Sequence, residues 1–181
     1  MQEDKSKLVK SAMSYGFALG IYWIIKYAFF LFSSSALILS SIYYGLTLAV
    51  PFIAYYLTKK YKQDIGGRIG FFHAWQFGVL LYFFAAIVVS LEHYVFYRYL
   101  APPDLLTTTM DQVAELYKNQ VTPETLDTMK DIITNPMHMT LIDIFSNTLY
   151  GIIFSIPVAA FLFQKGDGTG VVSQENQNEI N

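Results

Sequence analysis

Four long apolar blocks, Ser11 to Phe32, Ala36 to Thr58, Gly70 to Leu100 and Thr140 to Phe163, are separated by polar connections of unequal length. Each reaches the about 20 residues that a helix needs to cross a hydrocarbon core. The pattern predicts an all-α integral membrane protein with four transmembrane helices in a single domain over residues 1–165. At about 31 residues and ~1.5 Å per residue, the third helix would be about 46 Å long. That exceeds a ~30 Å core, so its far end should project past the lipid.

The connection after the third block carries its own periodicity. Beyond Pro103 and Asp104, the residues Leu106, Met110, Val113 and Tyr117 recur at helical spacing, with Asp111, Glu115 and Lys118 off the stripe. A second short helix should begin at "TPET", with Thr122 as N-cap and Pro123 at the first helical position. Leu126, Met129 and Ile133 form its apolar stripe, and Asn135–Pro136 ends it. Residues 103–135 are therefore predicted to form an amphipathic helical hairpin, whose apolar faces need cover from each other, the membrane or a partner.

Composition agrees with the membrane assignment: 54% of the 181 residues are hydrophobic and only 14% charged, against about 25% charged in soluble domains. Charge placement adds an orientation. Lys5, Lys7, Lys10, Lys59, Lys60, Lys62, Arg68 and Lys165 all fall on one side of a four-span chain, while Ala101 to Met139 holds six acidic residues against two lysines. The positive-inside rule puts both termini in the cytoplasm and the hairpin outside. Residues 166–181, polar and glycine-rich, are expected to be a disordered cytoplasmic tail.

Small residues recur every four positions in each span, which lets helix backbones approach closely. The series include Gly16 and Gly20 in the first, Gly45 in the second, Gly66, Gly70 and Gly78 leading into the third, and Gly151 in the fourth. Packing within the bundle is the expected use, with homo-oligomer formation as the alternative.

Ionisable groups inside the spans are the candidate chemistry, because a charge at mid-membrane costs about 2.5 to 3.5 kcal/mol and needs an escape or a partner. Lys26, Glu92 with His93, and Asp143 with Asn147 lie at similar depth toward the hairpin end, accompanied by Tyr43 or Tyr44. Snorkelling of Lys26 to the headgroups and a boundary role for Asp143 compete with an ion-pair cluster inside the bundle. His73 and Gln76, at the other end, are expected at the interface.

The chain has no cysteine, which removes thiolate nucleophiles and zinc-thiolate sites. It also lacks phosphate-loop, nucleophile-elbow and zinc-protease signatures, and its net charge of −2 makes no case for nucleic acid. No catalytic residue, cofactor or metal site is expected, and the expected partners are membrane lipids and a membrane protein or a second copy.

The order of features resembles the bacterial membrane-protein family named domain of unknown function 4199. The likeness rests on "QDIGGRIGFFHA" (Gln63 to Ala74) opening the third span, "LAPPD" (Leu100 to Asp104) closing it, "VTPETLDTMKDIITNP" (Val121 to Pro136), and "FLFQK" (Phe161 to Lys165). The resemblance implies a small inner-membrane protein with four spans and no established activity or functional residues. Three roles stay open: a non-enzymatic accessory or assembly subunit of an envelope complex, a small proton-coupled carrier using the polar cluster, and an enzyme on lipid-linked substrates.

Overall fold

The computed structural model describes residues 5–31, 37–102 and 104–163. Six helices follow one another: α1 (Lys5–Leu31), α2 (Leu37–Asp64), α3 (Phe71–Val95), α4 (Leu105–Tyr117), α5 (Pro123–Thr134) and α6 (Pro136–Leu162). A π-helical turn, Phe96–Leu100, continues α3, and the Ala101 N–H closes it onto the Phe96 carbonyl at 2.8 Å. The helices α1, α2, α3 with its π turn, and α6 are each long and apolar enough to cross a membrane. Three of these helices outrun their apolar blocks: α1 starts six residues before Ser11, α2 runs six past Thr58, and α6 begins at Pro136 rather than Thr140. Pro103, the Leu106 side chain, the Ser33 to Ala36 turn and the tail beyond Phe163 lie outside the described residues.

The centre of the bundle is α3, which packs most extensively on α6 and α1. Half of its most hydrophobic stretch is buried, against 11% of that in α2, which lies at the periphery. Glycines set both main crossings. At Gly20 a Cβ would stand 2.6 Å from Val88 Cβ, and at Gly16 2.6 Å from Phe84 Cβ, so α1 lies directly on α3. At Gly151 a Cβ would stand 2.5 Å from Tyr82 Cβ, and at Gly78 it would overlap Ser155, so α6 does the same on the other side. Phe77, Leu81, Ala85, Ala86 and Val89 are completely enclosed between them.

Of the remaining glycines, a Cβ at Gly45 or Gly66 would meet nothing within 4 Å in the chain, and Gly70 is a cap. Gly45 has open space around it on the exposed side of α2. Gly66 belongs to a turn: its φ of 101° and the φ of 81° at Gly67 accompany bonds from Gly67 N–H to Lys62 O and from Gly66 N–H to Gln63 O. These are the two bonds of a Schellman ending, which needs a left-handed residue just past the helix. Gly70 is the N-cap residue of α3.

In both spans that contain an internal proline, a side chain of a neighbouring helix bonds a backbone carbonyl in the turn before it. Five residues before Pro51, the Leu46 carbonyl accepts from the Tyr22 hydroxyl at 2.7 Å, and five before Pro157, the Ile152 carbonyl accepts from Trp75 Nε1 at 3.1 Å. In each case the bond ties two helices together through a backbone carbonyl.

Between the third and last spans stand two short helices, α4 and α5, and of the stripe expected on α4 Tyr117 is exposed because it falls at the helix end, beyond the cover of α5. Thr122 caps α5 by accepting from the Thr125 N–H, and Pro123 opens the helix. Asn135 ends α5 and caps α6, its side chain accepting from the Met137 N–H at 2.9 Å. The hairpin helices pack on each other and α5 packs on α6, with Met110 fully buried and Val113, Leu126, Met129 and Ile133 half-buried.

Candidate functional site

The candidate ionisable residues of the spans fall into two centres near the hairpin end, divided by one aromatic ring. In the first, His93 of α3 is buried between two carboxylates. Its Nδ1–H donates to Asp143 Oδ2 of α6 at 2.7 Å, and its Nε2 lies 3.6 Å from Glu92 Oε2. A full turn of helix separates Asp143 from Asn147, whose amide donates to the Asp143 backbone carbonyl at 2.8 Å and so sits beside the group without touching the carboxylate. Tyr27 of α1 presents its ring edge-on to His93, with centroids 4.2 Å apart, and Tyr97 of the π turn lies at 6.2 Å.

The second centre is Lys26. It is only 8% exposed and forms no ion pair or hydrogen bond among the described residues. Its ammonium lies 5.1 Å from the centroid of Tyr27, 5.4 Å from that of Tyr43 and 5.8 Å from that of Trp23. Three negative ring faces partly offset the loss of water around the charge. Lys26 does not join the carboxylates; its ammonium is enclosed by the three rings instead. The cause is azimuthal, because successive helix positions point about 100° apart. Tyr27 takes the direction of His93, and Lys26 turns toward α2.

Of the five candidate residues, three meet in space, one lies alongside and one is caged separately. Tyr27, Tyr97 and Trp23 were not anticipated in the site. The only signal for them is spacing, since Trp23 and Tyr27 lie three before and one after Lys26. Tyr43 meets Lys26, whereas Tyr44 is exposed.

At the opposite end, His73 is buried and shares a 2.6 Å hydrogen bond with the hydroxyl of Tyr61, which stacks on Phe77. It is packed within the bundle, while Gln76 is exposed. A groove of about 360 Å³ between Leu8, Trp75, Gln76, Val79 and Leu80 shares no residue with either polar centre. No group of three or more metal-ligating side chains occurs among the described residues.

A central helix clamped by glycine crossings, with ionisable groups enclosed near one end, defines a multi-pass helical membrane protein. The family model described as protein of unknown function (DUF4199) matches residues 14–163, and the chain belongs to that family. No curated protein and no solved structure matches it.

Proposed function

We propose that the protein is a non-enzymatic accessory or assembly subunit of a cell-envelope complex. It would sit in the inner membrane with both termini cytoplasmic, and its hairpin would engage a membrane-protein partner outside. The observation that carries this reading is the surface of the hairpin. Its inner stripe is covered by α5 and α6, yet Leu116 is 73% exposed and Tyr117 and Ile132 are also uncovered. Leu116 and Tyr117 are neighbours at the end of α4, and together they give that end an apolar surface on which a partner would sit. The acidic surplus of the surrounding segment disfavours an anionic lipid surface and favours protein.

The continuous layer of Leu81, Tyr82, Ala85, Ala86 and Val89 beneath the His93 group supports this role over that of a carrier, which needs access from both sides. The test is a photo-crosslinking residue placed at Leu116, or at the exposed Asp127 as control, in the native membrane. The expected result is an adduct with one membrane protein from position 116 alone, lost on Tyr117→Asp at unchanged protein level. Adducts with lipid only, or none, would overturn the proposal.

A further inference from the structure

The two atoms that face each other at 3.6 Å in the acid–histidine group, His93 Nε2 and Glu92 Oε2, are sealed from solvent and have no hydrogen-bond partner. The Nδ1–H of the ring is already committed to Asp143. A neutral imidazole with its hydrogen on Nδ1 offers only a lone pair at Nε2, and an ionised carboxylate offers only lone pairs. Two opposed acceptors buried together carry a desolvation cost with no compensating bond. One proton converts them into a donor and an acceptor, whichever atom holds it, because such a pair titrates as a unit.

We propose that Glu92, His93 and Asp143 form a binding site for a single exchangeable proton, loaded from the hairpin end, that latches α3 to α6. The carboxylate side chains of Glu92 and Asp143 are 23% and 26% exposed against 8% for His93, and the enclosed residues Val89, Ala86 and Ala85 lie beneath. The groups around the ring complete the electrostatics. From α1 come Tyr27 and, behind it, Lys26; from α2 comes Tyr43, against Tyr27; from α3 and its π turn come Glu92 and Tyr97; from α6 comes Asp143. With the proton bound, a positive His93 stands between the two carboxylates and links them. Without it, carboxylates on adjoining helices repel across the seam. Since α5 packs on α6, opening that seam moves the hairpin.

The chain has no cysteine, so spin labels at Arg98→Cys on the π turn and Asp127→Cys on α5 attach nowhere else. Their separation is measured in lipid nanodiscs across roughly pH 5 to 8, the range in which histidine ordinarily titrates. The expected result is one pH-dependent shift between two distance populations in the otherwise native chain. Glu92→Gln, whose amide donates to Nε2 without titrating, should lose that shift and hold the low-pH population throughout. His138→Gln, at an exposed histidine of α6, should keep it. An unchanging distribution in the native chain, a shift that survives Glu92→Gln, or one abolished by His138→Gln would each overturn the proposal. The purified chain suffices, so the proton site and the accessory role stand or fall separately.

Discussion

Replacing Gly151 by alanine tests whether α6 is held against α3 by backbone proximity. The added methyl group would lie 2.5 Å from Tyr82 Cβ and 2.9 Å from its Cγ, whereas carbon atoms in good contact stand about 3.5 to 4.0 Å apart. Rotating Tyr82 moves its ring but not its Cβ. Relief therefore requires the two helices to separate by roughly 1 Å, the gap between the two distances. Overpacking of this kind costs about 1 to 3 kcal/mol. Gly45→Ala is the matched control, because a Cβ there meets nothing within 4 Å and alanine favours the helix by up to about 1 kcal/mol. Reversible unfolding of both variants in mixed micelles gives the comparison. Gly151→Ala should unfold at clearly lower denaturant and Gly45→Ala at equal or higher denaturant. Equal stability of the two variants would refute the claim that the α3–α6 crossing depends on the absence of a Cβ.

Two further outcomes follow from other parts of the bundle. Lys26 has no anionic partner, so its desolvation of about 2.5 to 3.5 kcal/mol is only partly offset by ring contacts of ~0.5 to 2 kcal/mol. Lys26→Met should then match or exceed the native stability by about 1 kcal/mol in the same unfolding assay, and a loss above about 2 kcal/mol would contradict the caged geometry. Tyr22→Phe removes the donor to the Leu46 carbonyl beside Pro51. It should cost about 0.6 kcal/mol, the usual worth of an interhelical hydrogen bond in a membrane. Unchanged stability of Tyr22→Phe would refute that worth.

The elements legible from residue order are those governed by local rules. Thr122 and Pro123 start α5 because capping and a missing N–H act within one turn, and the stripe from Met110 to Ile133 announces its buried side by period alone. The candidate site was legible in depth and not in direction. Counting residues places Lys26, Glu92, His93 and Asp143 near one level, and His93 does meet both carboxylates. Lys26 lies across the Tyr27 ring from them, a division that spacing along the chain does not encode.

What the sequence by itself determined is the number of spans, the hairpin with its caps, and the identity of the few charges that must be accommodated in lipid. Only the tertiary structure decided which way each helix faces. It assigned Gly16, Gly20, Gly78 and Gly151 to crossings, Gly66 to a turn, and Gly45 to the open side of α2. The physical reason is that lipid and helix interface are equally apolar, so hydrophobicity fixes the depth of a membrane helix and leaves its rotation to side-chain shape and to the few polar groups that need partners.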